Sequence, residues 1–217
     1  MMLGARTAAW AKSGAPLPYD SEVEWITGTN IVSYGGPHIY SGIKCGDNVG
    51  IDYTLKRIID TSTDVVACGV RYDRGDTRFF IDGYSGLWKI GWNNGWNFKL
   101  DFNVKCNFRL NFKNDRKATY NDSIVAENIP RLSFVGKDFC LIGYNGADPL
   151  VQSNGAAYYR YYNAKISVGD IVVIDAIPVR FTNENDVSEG AMYNRVSGQL
   201  FRNAGTGAFI IGPDKTT

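Results

Sequence analysis

The chain has 217 residues, with 23 Lys+Arg against 22 Asp+Glu, a formal net charge of +1, and 44% hydrophobic and 21% charged residues. That balance excludes a disordered chain, and it leaves no basic excess to mark nucleic acid or an anionic membrane as a partner. No stretch approaches the ~20 apolar residues of a membrane helix, so no membrane span is expected.

Residue counts narrow the chemistry further. His38 is the single histidine, which argues against a His-based metal cage and against Ser-His-Asp catalysis. The five glutamates are Glu22, Glu24, Glu127, Glu184 and Glu189, so a catalytic carboxylate pair has few candidates. Cys45, Cys68, Cys106 and Cys140 form no C-x-x-C pair and are expected as half-buried thiols in strands. Glycine, 24 residues, and aromatics, 13%, are the composition of turns and pleated surfaces.

In chain order, residues 3–12 are rich in helix formers, and Ser13-Gly14-Ala15-Pro16-Leu17-Pro18 breaks any helix. This segment is either a frayed terminus or a short helical or extended anchor whose Leu3, Arg6 and Trp10 dock on a partner. It lacks the basic start of an export signal, so the chain is expected in the cytoplasm unless a larger assembly carries it out. From residue 19 the period is two. Strands are expected at 22–26, 51–56, 65–72, 77–82 and 87–92. Residues 104–113 alternate apolar and polar at every position, and 117–120 return after a turn at 114–116. Further strands are expected at 138–144, 158–168, 171–181, 191–196 and 199–202, with hairpin turns at Gly169-Asp170 and Ser197-Gly198. Pro178 has no N–H to give a ladder and is expected at a strand edge or bulge. About a dozen strands without a helix indicate an all-β, two-sheet antiparallel sandwich or jelly roll. Residues 17–217 read as one such domain, after a docking segment and linker at 1–16.

Few segments carry chemistry. Asn203-Ala204-Gly205-Thr206-Gly207 lacks the lysine of a phosphate loop and reads as a turn. His38 follows Gly35-Gly36-Pro37 on a loop, with no nucleophile or orienting group to recruit it, so a surface or packing role is expected. Glu22 and Glu24, two apart on a strand, are about 6.5–7 Å apart by strand rise, within reach of a hydrolytic pair. Val23 and Trp25 on the alternate face make the two acids the solvent side of a first strand instead. Asp73-Arg74-Gly75-Asp76 has the oxygens of a calcium loop, yet a β-turn accounts for the same residues. No catalytic residue, cofactor or metal ligand is assigned.

Aromatic clusters are the most suggestive feature. Trp88, Trp92 and Trp96 recur every four residues around Asn93 and Asn94, and Tyr158, Tyr159, Tyr161 and Tyr162 surround Arg160. Aromatic faces stack on sugar rings while amides and guanidinium bond to hydroxyls. The candidate glycan-binding residues are therefore Trp88, Trp92, Trp96, Asn93, Asn94, Tyr159, Arg160 and Tyr161. Core packing and an ordinary sheet surface are the competing explanation.

Three segments carry a resemblance. Tyr19-Asp20-Ser21-Glu22-Val23-Glu24-Trp25-Ile26-Thr27-Gly28-Thr29-Asn30 is similar to the opening of a group of concanavalin A-like (LamG-like) jelly-roll proteins common in phages and prophages of gut bacteria. Leu110-Asn111-Phe112-Lys113-Asn114-Asp115-Arg116-Lys117-Ala118 resembles their central hairpin. Ile177-Pro178-Val179-Arg180, Ala191-Met192-Tyr193-Asn194 and the run from Gly198 to Phe209 resemble their ending. The leader, Met2 to Lys12, is similar to leaders that precede unrelated β-domains in such phage genes. Tyr34 to His38 and residues 145–157 depart from the pattern. The resemblance implies a non-enzymatic virion protein (capsid decoration, head fibre or tail-associated) made in the host cytoplasm. It would be docked on other virion proteins through its leader and display a lectin-like sandwich to cell-surface or mucus glycans. Closed symmetry is common among soluble oligomers, so a homo-oligomer is expected. The alternatives are a bacterial surface or secreted glycan-binding module and a glycan hydrolase.

Overall fold

The computed structural model of the chain describes residues 16–29, 35–46, 48–60, 65–71, 78–84, 87–92, 94–99, 103–111, 116–129, 136–145 and 154–216. At 71, 78–80, 82, 84, 87–92, 94–99, 111 and 154–155 the description is of the backbone alone. The expected N-terminal anchor with Leu3, Arg6 and Trp10, the Asp73–Asp76 loop, and Asn93 lie outside these residues.

The early strands are β1 (Ser21–Glu22), β2 (Ile26–Gly28), β3 (Ile39–Lys44), β4 (Val49–Arg57), β5 (Val65–Arg71) and β6 (Arg78–Tyr84). The middle ones are β7 (Leu87–Trp92), β8 (Asn94–Lys99), β9 (Lys105–Asn111), β10 (Lys117–Tyr120), β11 (Ser123–Ala126) and β12 (Asp138–Asn145). A turn of 3-10 helix at Asn154–Tyr158 leads into β13 (Tyr159–Val168), β14 (Ile171–Thr182), β15 (Ser188–Asn194), β16 (Leu200–Phe201) and β17 (Phe209–Ile211). They form an all-β sandwich. The larger sheet runs β11-β10-β9-β4-β13-β14-β15-β16, with β1 beside β14, and β2 between β13 and β17. The smaller runs β3-β12-β5-β6-β7-β8. The hairpins turn where the sequence indicates: Asn121 and Asp122 both have positive φ, 47° and 64°, and Gly169 has φ 59° between β13 and β14.

Two expectations are corrected. The smaller sheet is not wholly antiparallel, because β12 runs parallel to β5. The chain between them crosses to the larger sheet and back, so no tight hairpin dictates their direction. Pro178 is buried inside β14 rather than at an edge strand, flanked by β15 through its Met192 register and by the end of β1. Its carbonyl accepts from Val23 N at 3.1 Å, so its nitrogen faces the same side. That side is a seam: β13 accompanies β14 up to Ala176, and β1 takes over at Val179. The missing donor falls where one partner ends and another begins.

Alternation along β4, β9 and β13 sends Ile51, Tyr53, Leu55, Cys106, Phe108, Leu110, Tyr159 and Tyr161 into the space between the sheets. Three tyrosines cross that space. Tyr53 Oη donates to Leu141 O at 3.2 Å, Tyr159 Oη to Val65 O at 2.7 Å, and Tyr161 Oη to Ala67 O at 2.8 Å. Leu141 and Ala67 sit where the β12 and β5 ladders slip register, and Val65 opens β5 just before its slip. A slipped ladder leaves carbonyls turned from their neighbours, and a phenol arriving from the facing sheet bonds them. Burial also pushes the Tyr53 and Tyr161 hydroxyls well above the ordinary tyrosine range. All four cysteines are buried free thiols, deeper than expected, with Cys45 just past the end of β3.

Candidate functional site

The outer face of the larger sheet is built in rows, because directly paired residues on neighbouring strands share a face. Lys105, Lys56 and Arg160 are paired in turn across β9, β4 and β13. The next row is Asn107, Thr54 and Asn163. The third is Arg109, Asp52, Lys165 and Asp175, continued on β14. This third row is an alternating-charge ladder closed by Arg109 to Asp52 at 3.1 Å and Arg195 to Asp175 at 2.8 Å.

A bulge shapes the middle row. Register slips between Tyr161 and Asn163, so Tyr162 is an extra residue and both Tyr162 and Asn163 turn outward. Asn163 Oδ1 takes the Thr54 N–H at 3.2 Å, and Thr54 Oγ1 donates to Asn107 Oδ1 at 2.7 Å. Amide groups thus line the face beside the basic row.

Aromatic rings and cations interlock above it. The Arg160 guanidinium lies 3.9 Å from the centre of the Trp25 ring, and Lys105 Nζ lies 4.2 Å from that of Tyr162. Partial burial raises the Tyr162 hydroxyl pKa, with Glu24 adding to the rise and Arg160 opposing it. Trp25 also presses on Gly212, where a Cβ would stand 2.8 Å from the indole. A cleft of 510 Å³ opens here between Glu24, Lys105, Tyr162, Asn163 and Lys215. A second depression, of 270 Å³, lies beside the β13–β14 turn, where Asp52 and Arg109 are already paired with each other.

Of the glycan-binding candidates, Arg160 stands on this face. Tyr159 and Tyr161 do not: their rings are 0% and 1% exposed and their hydroxyls are engaged in the core, so they are corrected to packing residues. Tyr162, a member of the same cluster, takes their place. The backbone of β7 and β8 pairs Trp88 with Phe98, Ile90 with Trp96, and Trp92 with Asn94, at the far edge of the smaller sheet. Asn94 therefore opens a strand instead of sitting mid-loop, and the tryptophan cluster and Arg160 belong to different sheets.

Trp25 is a second correction. The strand expected at 22–26 breaks into β1 and β2, so Trp25 does not share the core side with Val23. Adjacent Trp25 and Ile26 could not both point inward from one extended strand, and Ile26 is the buried one. Lys56, Lys105, Thr54, Asn107 and Asn163 had no motif to flag them; they meet only through strand pairing. Glu22 is joined to Lys215 at 3.3 Å, while Glu24 is exposed at the cleft.

His38 is buried against the Asn203–Gly207 turn. Its Nδ1 lies 2.8 Å from Gly36 O, and its backbone N–H donates to Asn203 Oδ1 at 3.1 Å. Packing is therefore its role, on a loop as expected. Among the described residues no group of three or more His, Cys, Asp or Glu is placed to hold a metal ion.

The protein is thus a two-sheet β-sandwich with an aromatic, amide-lined and basic outer face. No protein-family model matches the chain, and no curated protein matches it.

Proposed function

We propose that this protein is a non-enzymatic carbohydrate-binding module carried on a phage particle, as capsid decoration, head fibre or tail-associated protein. The observation that carries the binding reading is the cleft beside Trp25, Arg160 and Tyr162. There Tyr162, Lys105 and Asn163, the last residue of the Asn107–Thr54–Asn163 row, line one open surface with Glu24 and Lys215, and the Arg160 guanidinium is stacked on Trp25 alongside. Rings supply apolar contact to sugar faces, and amides and guanidinium supply directional bonds to hydroxyls. Such a shallow site binds weakly alone and gains strength from many copies on one particle.

The setting rests on the resemblance of residues 19–30, 110–118, 177–180, 191–194 and 198–209 to concanavalin A-like phage proteins, and the β-sandwich is compatible with it. In this reading the sandwich is a concanavalin A-like jelly roll, and residues 1–16 attach it to other virion proteins.

A glycan array probed with the parent chain and with Arg160→Ala and Tyr162→Ala tests the site. Binding that falls in both variants, with unchanged melting, supports it. Full binding in both moves the site to the β7–β8 tryptophans. Release of reducing ends that disappears in Glu24→Gln replaces the binding module with a hydrolase. Mass spectrometry of purified phage particles tests the setting: peptides at many copies per particle support it, and peptides found only on bacterial cells favour a cellular module.

A further inference from the structure

Lys105, Lys56 and Arg160 are paired directly across three adjacent strands, an arrangement a sheet normally avoids. Like charges in opposed positions destabilise the pairing, and neighbouring strands are only about 4.8 Å apart. The third row of the same face shows the ordinary solution, with signs alternating and ion pairs closed. Among the described residues, no ion pair within 4.0 Å joins Lys56, Lys105 or Arg160 to a carboxylate. Two of the cations are held by rings instead, Lys105 at Tyr162 and Arg160 at Trp25. A ring positions a cation without neutralising it, so the row keeps its positive charge, and its Lys105 end lines the cleft.

Lys215 joins the three cations, and Glu22 and Glu24 oppose them, with Glu22 committed to Lys215. Among the described residues, four positive groups against two carboxylates leave an excess of two. The excess is one residue deep along the strands: the Asn107–Thr54–Asn163 row follows, and then the balanced row containing Asp52 and Asp175. A narrow basic line bordered by amides suits a chain carrying isolated anionic groups among hydroxyls. It suits a nucleic acid less well, since that binds through many phosphate contacts on a broad basic surface.

We infer that this face selects acidic glycans, with the Lys105–Lys56–Arg160 row receiving the carboxylate or sulfate of the sugar and the neighbouring amides its hydroxyls. The inference rests on the carbohydrate-binding reading and names its ligand class. The Arg160 fork is suited to a planar carboxylate or a sulfate, and lysines add point charge on either side.

Calorimetry with the full chain tests it, using oligogalacturonate as the acidic probe, cello-oligosaccharide as the neutral one, and a single-stranded DNA oligonucleotide. Oligogalacturonate is expected to bind at least tenfold more tightly than the neutral sugar, and to weaken as salt rises from about 50 to about 500 mM. Lys56→Gln is expected to weaken it about tenfold while melting no lower than the parent, because it relieves repulsion in the row. Lys105→Gln provides the same comparison at the row's end. Equal affinity for acidic and neutral sugars, undiminished affinity in both variants, or DNA binding that matches oligogalacturonate overturns the inference. Failure of every sugar overturns the carbohydrate reading beneath it.

Discussion

Replacing Tyr161 with phenylalanine isolates one strut between the sheets. The ring is 1% exposed, and phenylalanine preserves its shape, so packing is retained and the hydroxyl alone is lost. That hydroxyl spans the core to Ala67 O at 2.8 Å, and Ala67 is itself 0% exposed, so no water is positioned to replace it. Removing the donor from a buried acceptor costs about 1–3 kcal/mol, and about 2 kcal/mol is expected here. For a domain of this size that corresponds to a fall of about 4–8 °C in melting temperature. Tyr159→Phe, with its 2.7 Å bond, should match it, and Tyr53→Phe, at 3.2 Å, should cost less. Urea unfolding of the three variants, with the m-value fixed, measures the order. A loss below roughly 0.5 kcal/mol in Tyr161→Phe would falsify the strut argument, because an unpaired buried carbonyl cannot be that cheap.

Stability should fall in alkali. Cys68 is pushed up to about 12, and Cys45 and Cys140 are also raised, all chiefly by burial, while Tyr53 and Tyr161 stand well above their usual range. Unfolded thiols and phenols release protons near 9.0 and 10.0, so the folded state binds more protons above pH 9. Stability is whole below that pH and is lost as pH climbs from 9 towards 12; urea midpoints measured across this range check it. The same burial predicts that a water-soluble thiol reagent labels none of the four cysteines until the protein unfolds. Gly205→Ala should be among the most damaging exposed-loop substitutions. Its Cβ would run into the Gly36 carbonyl oxygen and stand 2.6 Å from His38 Nδ1. A cost above about 2 kcal/mol is expected by thermal melting, whereas a neutral result would show that the two loops separate freely.

Most of the sandwich was legible because alternation is a physical consequence of burying one face of a strand. The strands expected at 104–113, 138–144 and 171–181 are found at Lys105–Asn111, Asp138–Asn145 and Ile171–Thr182 among the described residues. The short strands β3, β8, β11 and β17 escaped notice: glycines, asparagines or brevity hide their period. The site was harder. In Tyr159-Arg160-Tyr161-Tyr162-Asn163-Ala164-Lys165-Ile166, core residues fall on odd positions and then, from Ala164, on even ones. That change of phase is the bulge, and it states which tyrosines go inward. The basic row had no such signal, since Lys56, Lys105 and Arg160 are brought together only by pairings between distant segments.

The face that carries Trp25 and Arg160 also has a place in time. Trp25 rests on Gly212, Glu22 holds Lys215, Val23 bridges Asp214, and β2 pairs β17. These contacts join residues near 25 to residues near 212, so they are among the most distant closures in the fold and among the slowest kind to form. As the chain emerges from the ribosome, β2 waits with an open edge until residues 209–215 have been made. The cleft that contains Lys215 is therefore finished after the strands β4, β9 and β13 beneath it. On the proposed reading, a chain trimmed of those few residues keeps the Tyr53, Tyr159 and Tyr161 struts and loses its glycan-array signal.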